Sequence, residues 1–243
     1  MKTNKTIALV LALLMVWLAL PLNLAAAAGS PDIVLGTSKI SKGNTVWFAN
    51  YSGAPVQWRV MGNGNDSGGN SRLLLSDRVL ATTKFNPSNK NNVWQGSTAQ
   101  NWCKTFYTNT NNLSTGEKSA LIETSRDDAA YKYVYKHPQY SLGDYTVQYG
   151  TSSLDKEKIF FLSAEEAAVV YFSDDNSRKA VDLRGADSTW WLRSPATPRN
   201  AAKVQSKGQM FYKAIDRDRG ARPAFNLNLS SVLFTSAAIG GKP

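Results

Sequence analysis

Trp190-Trp191-Leu192-Arg193-Ser194-Pro195 and, thirty residues on, Gly220-Ala221-Arg222-Pro223-Ala224-Phe225-Asn226-Leu227 are the stretches from which the fold is read. Side chains alternate between the two faces of a strand, so Trp190 and Leu192 share one side and Trp191 and Arg193 the other. Both sides then carry large groups, as in a strand covered on both faces. On this reading Trp190 and Trp191 seal a core, and Arg193 and Arg222 support it by bonding backbone carbonyls. The same residue types also suit recognition: an aromatic face stacks on a sugar, and a guanidinium forks onto carboxylate or phosphate.

Working outward, Thr189 to Arg193, Ala201 to Gln205, Gln209 to Ile215 and Ala221 to Leu227 read as strands, with Ser206-Lys207-Gly208 as a tight turn between the middle two. Upstream, Thr45 to Ala49, Val56 to Met61 and Arg72 to Ser76 form further strands, the last two joined by a Gly-, Asn-, Asp- and Ser-only loop over 62–71. Asp66 is that loop's single carboxylate, and EF-hand spacing is absent. Three helix starts carry a Ser followed three residues later by Gln or Glu: Ser97 with Gln100, Ser114 with Glu117, Ser163 with Glu166. Their apolar stripes would bury Trp102 and Phe106, then Ala120 with Leu121 or Ile122, then Ala167, Val170 and Tyr171. Lys158 to Leu162 reads as a short strand, and Tyr131 to Thr151 as an irregular, aromatic-stiffened excursion. The expected class is α+β, a mostly antiparallel sheet with about three helices.

The N-terminus has the grammar of a cleaved secretory signal peptide. Lys2 and Lys5 precede an apolar run from Ile7 to Leu20, then Pro21 and the small residues Ala25 to Ala28. The run is shorter than the roughly 20 residues of a spanning helix. The expected organisation is a signal peptide over 1–28, a polar lead-in over 29–44, a single globular domain over 45–235 and a tail over 236–243. Localisation would be secreted or cell-surface, with no stable membrane span after cleavage. Cys103 is the only cysteine, so an intrachain disulfide is excluded and the core carries stability alone.

Charge is unevenly placed. The chain carries a formal +10. Between Arg178 and Arg222 eleven Lys and Arg stand against Asp182, Asp187, Asp216 and Asp218, a balance of +7. Such a stretch attracts anionic polymers, although a basic surface also simply keeps a protein soluble.

Catalytic sets are thin. His137, the single histidine, precedes Pro138 in a loop, 34 residues from Cys103, which itself sits on a core-facing helical stripe. One His and one Cys do not build a zinc site, and no phosphate-binding glycine loop is present. The doublets Asp127-Asp128, Glu165-Glu166 and Asp174-Asp175 point in diverging directions, and Glu165 and Glu166 suit the first turn of a helix. No cofactor is expected.

Trp-Leu-Arg-Ser-Pro at 191–195, Arg-Pro-Ala-Phe-Asn-Leu at 222–227, Leu-Leu-Leu-Ser-Asp at 73–77 and Phe-Leu-Ser-Ala-Glu-Glu-Ala at 161–167 together resemble a domain-of-unknown-function family common in secreted proteins of anaerobic Gram-positive bacteria. The resemblance runs from about Val56 to Phe234. The family's glycine before Arg-Pro is displaced here, because Ala221 follows Gly220. More distantly, a tryptophan strand closed by a Gly-x-Arg strand is similar to the C-type-lectin-like fold of formylglycine-generating enzymes and retroelement-diversified binding proteins. Those enzymes use a cysteine pair, so their catalysis does not carry over to a chain with one. What the resemblance implies is a C-type-lectin-like fold that holds ligands between the two motifs, over Thr197 to Arg219.

The expected function is therefore non-catalytic binding of an anionic extracellular glycan, wall polymer or acidic protein, with no nucleic acid, through Arg199, Lys203, Lys207, Tyr212, Lys213, Arg217 and Arg219. Two alternatives stand beside it. One is a cell-wall or glycan hydrolase using distant carboxylates such as Asp182 and Asp216; the other is an accessory module of a larger surface protein.

Overall fold

The structure is a computed structural model that describes residues 42–64, 70–135 and 145–230. The expected signal peptide over 1–28, the expected tail over 236–243, Asp66 and His137 lie outside the described residues. The strands are β1 (Thr45–Tyr51), β2 (Ala54–Asn63), β3 (Ser71–Ser76), β4 (Ala81–Lys84), β5 (Thr124–Asp128), β6 (Tyr131–Tyr135), β7 (Tyr145–Tyr149), β8 (Ser152–Glu157), β9 (Ala180–Val181), β10 (Asp187–Ser188), β11 (Trp190–Pro195), β12 (Asn200–Val204), β13 (Met210–Ala214), β14 (Asp218–Ala221) and β15 (Ala224–Asn228). The helices are α1 (Thr98–Thr108), α2 (Thr115–Ala120) and α3 (Asp175–Arg178), with a π-helical turn over Glu166–Val170.

Two larger sheets organise these elements. One is antiparallel in the order β1-β2-β3-β15; the other runs β13-β12-β11-β14-β4, with β11 and β14 parallel. Three two-stranded ribbons complete the set: β9/β10, β5/β8 and β6/β7. The Gly220–Leu227 stretch is not one strand. β14 pairs with β4 and β15 with β3, so the chain changes sheets at Arg222-Pro223. Proline has no N–H for a ladder, and the Pro223 carbonyl accepts from Ser76 N at 2.9 Å. Gly220 sits where a Cβ would collide with the Val79 side chain and the Thr189 carbonyl, so β14 can lie against β11 only with glycine there.

The C-type-lectin-like α+β expectation is overturned. Of the described residues 46% are strand and 16% helical, in several small sheets, and the balance is more sheet-dominated than that fold. Two local readings account for the shift, and a third runs against it. The Tyr131 to Thr151 excursion contains the β6/β7 hairpin, and Thr124–Asp128 pairs with Ser152–Glu157. The third helix shrinks to a π-helical turn, which leaves Val170 exposed rather than core-facing. Lys158 to Leu162 makes an isolated bridge, Phe160 to Ala224, instead of a strand.

The capping residues behave as their spacing requires. Ser114 and Glu117 exchange both cap bonds, and so do Ser163 and Glu166. Ser97 accepts from Gln100 N, whereas the Gln100 side chain accepts from Gly96 N, one residue before the cap.

Trp58, Trp190, Trp191 and Leu192 are fully buried, and Arg193 and Arg222 lie in the same core at 0% exposure. Arg222 donates from Nε to Ser76 O at 2.9 Å and stacks 4.8 Å over Trp190. Arg193 Nη1 donates to Phe161 O at 2.7 Å and to Glu166 Oε2 at 2.6 Å, and Nη2 to Asp128 Oδ2. Arg126 closes the cluster from its partly exposed side, 2.8 Å from Asp128 Oδ1 and 3.2 Å from Glu166 Oε1. Two cations thus neutralise two carboxylates inside the core. Removing one member leaves a buried charge unpaired, so Arg193→Met is expected to cost about 3–5 kcal/mol of unfolding free energy in urea titration. A loss below about 1 kcal/mol would mean that Arg126 neutralises both acids unaided.

Candidate functional site

The residues expected to bind sit on one β-hairpin and its sequel, but at three separate places. The β12–β13 turn places Lys207 next to Gly208, whose φ is +89° and whose missing Cβ leaves room for the Asp175 carbonyl. Arg178 Nε donates to Gly208 O at 2.9 Å, which seats this turn on α3. Arg199 and Arg217 occupy turns at the opposite end, where Ile215 N donates to Arg199 O at 3.0 Å. With about 3.3 Å per strand residue, Lys207 stands well apart from them.

Between those ends the register brings three cations together. Lys203 pairs with Trp191 on one side and Phe211 on the other, and Lys213 lies two residues along β13 from Phe211, on the same face. Trp190 pairs with Gly220, so Arg219 shares the face of Trp191, opposite Thr83. Lys203 is only 9% exposed. Burial, then the charges of Arg219 and Lys213, lower its amine to about 8. Among the described residues no carboxylate pairs with Lys203, Lys213 or Arg219. The Arg219 Nε is buried and has no hydrogen-bond acceptor. Buried donors are normally satisfied, and buried charges are normally paired.

Tyr212 projects from the other side of β13 and meets the β6/β7 hairpin. In that hairpin Tyr131 pairs with Tyr149 and Tyr133 with Val147, so these side chains share one face with Tyr145, while Lys132, Val134, Thr146 and Gln148 are exposed. Tyr149 Oη donates to Phe211 O at 3.0 Å and Tyr133 Oη to Asp175 Oδ1 at 3.1 Å. Tyr145 Oη lies 3.1 Å from Tyr212 Oη, and its ring is 5.8 Å from Phe211. Phe211 and Tyr145 were not among the expected binding residues. The alternation of tyrosines at 131, 133 and 135 was their available signal.

The carboxylates of the hydrolase alternative have local duties. Asp182 accepts from Arg184 N at 2.8 Å and Ala186 N at 3.0 Å, bonds that hold its carboxyl below the usual range. Asp216 lies in the β13–β14 turn, 3.7 Å from Arg217 Nε. Cys103 is fully buried in the core, and burial with the nearby Glu157 charge pushes its thiol well up, away from the reactive thiolate. A cavity of about 360 Å³ opens beside it, with Lys104, Tyr107, Lys156 and Glu157 among its walls. Among the described residues there is no group of three metal-ligating side chains, and no helix is long and apolar enough to cross a membrane.

Lys203 gives a pH signature. Its folded pKa of about 8 lies below the ordinary 10.5, so the unfolded chain holds more protons between those values and stability rises with pH across that window. Lys203→Met is expected to abolish this rise and to stabilise the fold near neutrality, by about 1 kcal/mol, in thermal melts at pH 7 to 10.

Residues 69–229 match the model of a family described as a domain of unknown function, DUF6273. No curated protein and no solved structure matches the chain.

Proposed function

We propose that this chain, which belongs to the DUF6273 family, is a non-catalytic binding domain whose ligand is an anionic polymer seated on Lys203, Lys213 and Arg219. One observation carries the reading: a nearly buried lysine with no carboxylate partner among the described residues, beside an arginine whose buried Nε has no acceptor. Holding like charges together costs stability, and such strain is retained where a ligand offsets it. An incoming carboxylate or phosphate would satisfy Arg219 Nε, pair with Lys203 and relieve the repulsion from Lys213 in one step. The signal-peptide-like sequence over 1–28 supports an extracellular setting, secreted or at the cell surface, where wall polymers and acidic glycans supply such groups.

Position along the hairpin separates this reading from a general basic surface. Lys203→Met with Arg219→Gln is expected to weaken binding of a polyanion such as polygalacturonate by about tenfold or more at fixed salt. Lys207→Glu, at the far turn, should change affinity less than about twofold, because exposed single charges contribute little. Calorimetric titration at two salt concentrations measures both. Affinity should also fall as pH is raised through about 8, where Lys203 loses its charge in the free protein. Equal losses from all three substitutions would point to diffuse attraction and sink the localised site.

A further inference from the structure

We infer that the cavity between α1 and the end of β8 is a second binding site, for a small zwitterion: an apolar α-amino acid with its ammonium on Glu157 and its carboxylate on Lys104 and Lys156. The cavity, of about 360 Å³, has Lys104, Tyr107, Asp155, Lys156, Glu157 and Ile159 among its walls. Glu157 is only 5% exposed. Its Oε1 accepts from Trp94 Nε1 at 2.8 Å and from Gln100 Nε2 at 2.6 Å, while Oε2 is buried without a hydrogen-bond partner. Neither donor can serve the second oxygen, because the indole has one N–H and the Gln100 amide also donates to Gln95 Oε1. Among the described residues no cation pairs with Glu157. Burial raises its carboxyl above the usual range in spite of those two bonds and the charge of Lys104.

The strand is irregular at the point that puts this acid inside. Along β8, Ser152 and Leu154 are buried and Ser153 and Asp155 exposed, so unbroken alternation would leave Glu157 exposed as well. Instead Asp155 and Lys156 together oppose the single residue Ser125, a bulge in which Lys156 takes φ +52°. Lys156 N donates to Ser125 Oγ at 3.0 Å and fixes the bulge. The shift of phase turns Glu157 inward and makes Asp155, Lys156 and Glu157 consecutive wall residues. From α1, Cys103 with Tyr107 and Lys104 with Thr108 line the same cavity, each pair four residues apart on one side of the helix.

The wall charges differ in depth. Glu157 is buried, whereas Lys104 and Lys156 are exposed and, among the described residues, have no carboxylate partner. Lys158 is committed to Leu121 O at 2.8 Å and to Glu123. A buried anion is stabilised by a cation brought to it, and exposed ammonium groups gain from a carboxylate held against them. A zwitterion supplies both in one molecule. Asp155, exposed on the same bulge, disfavours a ligand that carries a carboxylate alone. Tyr107, Ile159 and Cys103 give the remaining wall an apolar part for the ligand's side chain.

Leucine, leucinamide and N-acetylleucine share a side chain and differ in which charges they keep, so ligand-observed NMR titrations of the three near neutral pH separate the two ends of the site. Both enantiomers of leucine are titrated, and the tighter one is expected to bind about tenfold better than either derivative. Glu157→Gln retains an acceptor for Trp94 and Gln100, and should weaken leucine and leucinamide alike by about tenfold. Lys104→Gln combined with Lys156→Gly, which suits a positive φ, should weaken leucine by about three- to tenfold and leave leucinamide within about twofold. Should Glu157→Gln lose its thermal transition, the ranking of the three ligands on the unaltered protein and the lysine double variant still decide the matter. Equal affinity for all three, leucine binding undiminished by the lysine substitutions, or no saturable binding of either enantiomer would each overturn the assignment.

Discussion

A guanidinium buried at the centre of a protein must be surrounded by acceptors, and the Arg193 fork imposes this requirement on every element around β11. Its three acceptors come from different parts of the chain: Asp128 from the β5/β8 ribbon, Phe161 from the segment before the π-helical turn, and Glu166 from the turn itself. Glu166 also closes the cap on Ser163, so the turn cannot move without breaking the ionic cluster. An apolar residue at position 193 would pack the core without any such instruction. The ion cluster therefore determines where the small ribbon and the turn are placed, while the tryptophans and the apolar residues around them supply the buried apolar surface.

Much of this was open to inspection in the chain itself, and the exceptions have physical causes. Strand β11 was readable because both of its faces carry large groups, and the helix starts because a cap is a local hydrogen bond made within four residues. The sheet change at Arg222-Pro223 was not readable, since pairing partners more than 130 residues distant leave no local trace. The tyrosine hairpin was hidden by Val134, an apolar residue on the solvent side that breaks the polar alternation by which strands are recognised. Arg126 was not singled out, and Asp128 was read only as half of a diverging doublet, because charges in a ribbon read as surface. Only the fold turns them towards Arg193.

The candidate site was legible as a region and not as a set. Counting charge over 178–222 located the hairpin, but charge count is blind to which cations share a face. Register separates Lys203, Lys213 and Arg219 from Lys207 and from the turn arginines. It also gives the tyrosine hairpin a role. β13 is the outer strand of its sheet, and a bare outer strand invites pairing with another chain; Tyr149 and its neighbours stand against it.

The crossing at Arg222-Pro223 has a consequence for how the molecule is assembled in time. β3 and β4 leave synthesis early, yet each completes its pairing with β15 or β14 only after the last quarter of the domain has been made. Until then two sheet edges stand open. Such late closure of distant pairs slows folding and lengthens the interval in which edges are exposed. A chain built this way behaves like a seam finished by its final stitch: nascent fragments ending before about residue 220 should hold little stable tertiary structure, and the whole domain should lock in a single step once that stitch is in place.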